Sequence, residues 1–148
     1  MKLEIKASIQ ISKPVEEVYE AIIDPDKMSN YFIASSSGRM EAHQPLEWKF
    51  PEFDVKVPVR VGELRPPDYI SYYWDDEGGK ALLVEMQLLP KDGATQVIVT
   101  EKSREADEAG IAWYGRNTEG WANFLACLKA YLEYGINLRK GAFDFMKS

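Results

Sequence analysis

Glu101 is the residue of this chain whose placement could carry the most chemistry. It falls in phase with Val97 and Val99 in a segment, Ala94 to Ser103, that alternates apolar and polar residues. If the valines face an interior, the two-residue period of a strand aims Glu101 at the same interior. A carboxylate there could hold a polar group of a ligand, or act as an acid or base beside Tyr72 or Tyr114. The competing reading is a strand-end glutamate that reaches water or pairs with Arg104 or Arg116, and the sequence favours it.

The second constellation is aromatic: Trp48, Phe50, Tyr72, Trp74, Trp113, Trp121 and Phe124. Such a set could line a pocket for a hydrophobic or planar molecule, with indole N–H and phenol O–H groups orienting it. Equally, each ring on its own could be core filling.

Other chemistry finds little footing. Ser35, Ser36 and Ser37 have no acid or histidine placed beside them to activate a nucleophile. Phosphate-binding loop, dinucleotide fingerprint and nucleophile-elbow patterns are absent from the sequence. The one histidine, His43, reads as a loop residue, and one cysteine, Cys127, as a small buried one. Asp24, Asp26, Asp75, Asp76 and Glu77 fall where caps and turns use acids, so no metal and no cofactor is expected. A formal charge of −6 argues against nucleic acid as a partner. The alternating N-terminus and the lack of a long apolar run predict neither a signal peptide nor a membrane span, with the cytoplasm as the expected location.

These residues need elements to position them. The stretch Thr118 to Tyr134 repeats Trp121, Phe124, Leu125, Leu128, Tyr131 and Leu132 at spacings of three and four, which predicts a helix with a broad aromatic face. The long helix is expected over about 110–136. Residues 2 to 11 alternate almost perfectly and predict a half-buried strand. Ser12 or Lys13 could cap a following helix, with Pro14 in its first turn, over Val15 to Ile23. Asp24-Pro25 starts a second short helix to about Asn30, and Tyr31, Phe32 and Ile33 form an apolar plug.

Ala34 to Gly38 reads as a loop. Strands are then predicted at Gly38 to Ala42, Pro45 to Phe50, Asp54 to Leu64, Tyr69 to Asp75, Lys80 to Leu89 and Ala94 to Ser103. Pro58 predicts an edge or a bulge in its strand. Asp76 to Gly79 and Pro90 to Gly93 are hairpin turns. The order is strand, two short helices, about six antiparallel strands and a long helix. It predicts one α+β domain over 1–148, a sheet curved around the last helix. A tail over 137–148 carries Phe143, Phe145 and Met146, to be docked on the domain or at an interface.

Several stretches resemble one family. ISKPVEEVYEAIIDPDKMSNYF (Ile11 to Phe32), VGELRPPDYISYYW (Val61 to Trp74) and the helix from Gly120 to Leu132 are similar, in order and across nearly the whole chain, to the START-like superfamily. This superfamily is also called helix-grip, Bet v 1-like or SRPBCC, and the likeness is to its branch related to the activator of Hsp90 ATPase. The loop ASSSGRM and the connection EKSREADEAG are shorter or plainer than in many members. The superfamily includes binding proteins, lipid carriers, cyclases, dehydratases and co-chaperone domains, so fold leaves function open.

The resemblance implies a hydrophobic cavity between sheet and helix. Its expected lining is Trp48, Phe50, Val57, Val59, Tyr72, Trp74, Val84, Glu101, Trp113, Trp121, Phe124 and Leu128. The leading expectation is a non-enzymatic domain that binds a hydrophobic small molecule or lipid, as monomer or homodimer. A co-chaperone-like protein-interaction domain comes second. An enzyme acting on a hydrophobic substrate in the pocket comes third.

Overall fold

Alternation at the N-terminus builds β1 (Lys2–Ile11), which buries Ile5 and Ile11 completely and leaves its lysines in water. The structure, a computed structural model, describes residues 1–147. Helix α1 (Val15–Ile23) follows and buries Val18, Tyr19 and Ile22. Pro14 is not in its first turn. It is the N-cap residue, with extended backbone (φ −66°, ψ 152°), and among the described residues no side chain caps the helix. Ser12 instead gives its backbone N–H to the Glu133 carboxylate at 2.8 Å.

Helix α2 (Pro25–Met28) is a single turn, shorter than expected, capped by Asp24, whose Oδ1 accepts the Asp26 N–H at 2.9 Å. The plug behind it is buried throughout, and the Tyr31 hydroxyl donates to the Ala21 carbonyl at 2.8 Å.

Six strands complete the sheet: β2 (Ser35–Ser36), β3 (Pro45–Lys49), β4 (Lys56–Arg65), β5 (Tyr69–Asp75), β6 (Ala81–Lys91) and β7 (Ala94–Glu105). The spatial order is β1-β7-β6-β5-β4-β3-β2, every pairing antiparallel. The expected strand over Gly38 to Ala42 does not form. On the side of β3 away from β4 the partner is Ser35 and Ser36, just before that stretch, set opposite Lys49 and Trp48, so the loop reading of ASSSG is corrected as well. Met40, the one buried residue of that stretch, instead gives its N–H to the Ile23 carbonyl at the end of α1.

Pro58 sits opposite Glu47 of β3, in the part of β4 that β5 does not reach; the β4–β5 pairing begins at Arg60. Its missing N–H therefore costs no ladder bond. The irregularity in β4 lies farther on, between Val61 and Leu64. The β6–β7 hairpin turns on Asp92-Gly93, both at positive φ (53° and 83°), the conformation a two-residue turn requires.

Register sets the concave face. Val61, Tyr72, Val84, Glu101 and Ile5 stand opposite one another in one row across β4, β5, β6, β7 and β1. Helix α3 (Glu108–Tyr134) lies in this concavity and contacts β1 and β7. Asp107 caps it by accepting the Gly110 N–H at 2.7 Å, and Gly135 ends it in the left-handed conformation. Gly110 is required there. A Cβ at that position would lie 1.9 Å from the Glu105 carbonyl oxygen, so only glycine lets the helix start this close to the end of β7. Trp113, Trp121, Phe124, Leu125, Cys127 and Leu128 form the buried stripe.

Candidate functional site

Glu101 is fully buried, which overturns the expectation that it reaches water or pairs with Arg104 or Arg116. Its position in the row decides this: Val84 and Ile5 flank it on the neighbouring strands and α3 covers it. Three neutral donors hold the carboxylate. Trp74 Nε1–H donates to Oε2 at 2.8 Å; Trp121 Nε1–H and Asn117 Nδ2–H donate to Oε1 at 2.8 and 3.1 Å. Among the described residues no cation lies within ion-pairing distance. Arg104 instead pairs with Asp76 and Glu77, with its guanidinium 5.9 Å from the Trp113 ring.

The Tyr72 phenol is pushed well above its usual range, chiefly by burial, with the Glu101 charge adding to the effect. Tyr72 Oη and Trp48 Nε1 are buried with no hydrogen-bond partner among the described residues. Tyr114, the other expected partner for Glu101, is on the exposed side of α3.

Rings fill much of the interior, meeting edge to face except for Trp74 and Trp121, which are tilted by 32°. Trp48, Tyr72, Trp74, Trp121, Phe124 and Phe32 form a continuous network with successive centroids 4.7–5.8 Å apart. Val59, Val84 and Leu128 are buried around it, Val57 is half-buried opposite Trp48, and Trp113 is buried outside the ring network. Larger clefts of about 510, 540 and 440 Å³ lie elsewhere, over Pro58 and Tyr73, beside His43 and Ser71, and beside Tyr19 and Arg39. Two adjoining pockets lie at the end of the helix grip, between the segment after β3 and α3, and the inner one is walled by several rings of the network. An inner pocket of about 170 Å³ is walled by Phe32, Phe50, Trp74 and Trp121, with Asn117 and Gly120 of α3. An outer pocket of about 400 Å³ adjoins it, sharing Phe50, Gly120 and Arg139, and is lined by Phe53, Arg116, Glu119, Asn123, Phe143 and Met146.

Of the expected lining residues, the structure thus places Phe50, Trp74 and Trp121 on the pocket walls. Glu101 lies directly behind, bonded to Trp74, Trp121 and Asn117. Gly120 gives room: a Cβ there would meet nothing within 4 Å.

Two groups were not singled out from the sequence. Asn117 had a signal, since it stands midway in the i, i+4 series Trp113, Asn117, Trp121 and so falls on the buried stripe. The pair Glu52 and Arg139 had none. Glu52, in the segment after β3, is buried, and Arg139 reaches it from the tail, Nη2 to Oε1 at 2.6 Å and Nε to Oε2 at 3.2 Å. This clamp holds the tail across the outer pocket.

The remaining candidates stay outside the site. His43 is exposed in a loop at φ 63°. Cys127 is buried, and burial pushes its thiol above the ordinary range. Asp24 and Asp76 accept backbone N–H groups in their own cap and turn. No group of acids, histidines and cysteine that could hold a metal occurs among the described residues, and none of the described helices is long and apolar enough to cross a membrane.

The profile described as "Activator of Hsp90 ATPase homolog 1-like protein" matches residues 12–133. No curated protein matches the chain. Among solved structures, a protein of Staphylococcus saprophyticus is 28% identical, with 93% of this chain and 96% of that one covered and a TM-score of 0.81. The Aha1 dimer of Colwellia psychrerythraea is 20% identical over 90% of this chain and 98% of that one, with a TM-score of 0.77. A putative protein of the dynemicin biosynthetic locus is 24% identical with a TM-score of 0.80; 90% of this chain aligns, spanning about half (48%) of that one. The last two likenesses are of fold.

Proposed function

The chain belongs to the activator of Hsp90 ATPase homolog 1-like family, with its START-like helix-grip fold, and from that premise we propose that it binds a small, largely apolar molecule at the aromatic mouth. The observation that carries this reading is the inner pocket. Four rings wall a space of about 170 Å³ on a helix that has glycine where a side chain would fill it. Apolar walls with a few fixed polar groups are what a ligand site needs. The indoles of Trp74 and Trp121 are locked by their bonds to Glu101, so the walls are preorganised.

Binding fits this geometry better than catalysis. The oxygens of Glu101 are already engaged by three donors, behind the walls and away from the open space, and Tyr114 faces away. The test is heteronuclear NMR of the four indole N–H signals during titration with a panel of neutral aromatic and aliphatic alcohols. Selective shifts of Trp74 and Trp121 support the reading. Unmoved signals, together with native mass spectra of freshly purified protein free of bound small molecules, overturn it.

A second reading, docking to a protein partner, draws on the apolar residues left exposed around the tail: Tyr134, Ile136, Leu138, Phe145 and Met146. A grouping of this kind favours association with another chain. A host Hsp90 pull-down and a sedimentation measurement separate the two cases, chaperone and second copy. Absence of both kinds of association removes this reading.

A further inference from the structure

Resting on the pocket reading above, we infer that the mouth is a receptor for an organic monocation on a flat apolar body, a guanidinium or ammonium group, and that Arg139 is its built-in occupant. The receiving groups belong to the body of the domain. Phe50 and Glu52 lie in the segment after β3, and Phe32 follows α2. The cation belongs to the tail, 87 residues farther along the chain than Glu52. The guanidinium donates in parallel to both Glu52 oxygens, at 2.6 and 3.2 Å. Its central carbon lies 5.7 and 6.0 Å from the Phe50 and Phe32 ring centroids and 5.1 Å from that of Phe143. A forked, planar cation between a carboxylate and ring faces is the arrangement guanidinium favours over every other side-chain group.

Glu52 makes the site selective. Its side chain is 2% exposed, and among the described residues its ion-pair partner is Arg139. Withdrawal of the tail would leave the Glu52 carboxylate without its ion-pair partner, a charge that a ligand cation can pair with and a neutral ligand cannot. Arg116 and Glu119 line the outer pocket with opposite signs, so Glu52, behind the Arg139 guanidinium, supplies the charge that decides. The adjoining inner pocket, with Trp74 and Trp121, receives the apolar body. A cationic ligand thus competes with the tail, and its apparent affinity is reduced by the fraction of molecules in which Arg139 is seated.

The experiment compares 2-phenylethylguanidinium with 2-phenylethanol, by calorimetry and indole fluorescence, on the full chain and on Arg139→Ala. The variant is expected to bind the cation at least about tenfold tighter than the unsubstituted chain does, and about tenfold tighter than it binds the alcohol. Adding Glu52→Gln to the variant should abolish the preference for the cation. If Arg139→Ala binds cation and alcohol equally, the inference falls while the pocket reading stands. If it binds neither, both fall. If the unsubstituted chain binds the cation as tightly as the variant, Arg139 is not a competitor and the inference falls. Should Arg139→Ala lose its fold by circular dichroism, the unsubstituted chain gives the answer: saturating cation must shift the Arg139 Nε–H resonance, and an unmoved resonance overturns the proposal.

Discussion

Replacement of Glu101 by glutamine, combined with Trp74→Phe, tests the polar anchor behind the pocket. Glu101 Oε1 accepts from Trp121 and Asn117, whereas among the described residues Oε2 accepts from Trp74 alone. In Glu101→Gln the amide oxygen keeps the two helix donors, and the amide NH2 takes the place of Oε2. A donor then faces the Trp74 N–H. Two opposing effects make the single substitution a poor test: loss of a bond to a charged acceptor, and relief of a buried carboxylate's desolvation. The double-mutant cycle cancels the second. With glutamate present, Trp74→Phe removes a charge-assisted bond of about 1.5–3 kcal/mol along with some packing. With glutamine present, the same change removes packing and also relieves the two opposed donors, which adds to the coupling. The coupling between the positions is therefore at least about 1.5–3 kcal/mol. Urea unfolding followed by far-ultraviolet circular dichroism measures it, with constant denaturant dependence as the control. In thermal melts each kcal/mol appears as about 2–4 °C in a chain of this length. Coupling below about 0.5 kcal/mol, the limit of additivity for independent sites, would show that the carboxylate does not hold the indole and would refute the reasoning.

Three further outcomes are expected. Gly120→Ala should raise stability by about 0.5–1 kcal/mol, because alanine is the better helix former and its methyl meets nothing, while Gly120→Trp should block the inner pocket; urea midpoints and the alcohol titration read the two effects. Glu133 is held below its ordinary carboxylate value, first by the Lys129 ammonium and then by the Ser12 N–H. Its contribution is thus complete above its unfolded value near 4.5 and is lost as pH falls through the lower folded value; the pH dependence of the urea midpoint should flatten below that point in Glu133→Gln. Cys127, buried and with its thiol raised by burial, should resist a thiol-reactive chromophore at pH 8 until the chain unfolds, which absorbance kinetics with and without urea will show.

Local order was legible wherever one period ran unbroken. The alternation of residues 2 to 11 and the three-four spacing from Trp121 to Leu132 each correspond to one observed element, β1 and the second half of α3. The Asp24 cap and the turn at Asp92-Gly93 were legible because their chemistry is local. Gly38 to Ala42 misled, because a short mixed segment carries no period long enough to choose its partner, and the pairing went to Ser35 and Ser36 instead. Glu101 shows the boundary most clearly. Its phase with Val97 and Val99 put it on the inner face, but no local rule prices a buried carboxylate.

The sequence by itself determined most parts of this protein: an α+β chain, six of its seven strands, an aromatic-faced last helix and a set of rings sharing the inner side. Those properties depend on neighbours within a few residues. Tertiary structure alone decided three things: that the rings meet one another, that three donors separated by up to 47 positions close on Glu101, and that Arg139 lands on Glu52. Each joins groups far apart in the chain, through the curvature of the sheet and the path of the tail. Hydrogen bonds and ion pairs require angstrom-scale placement that periodicity does not encode.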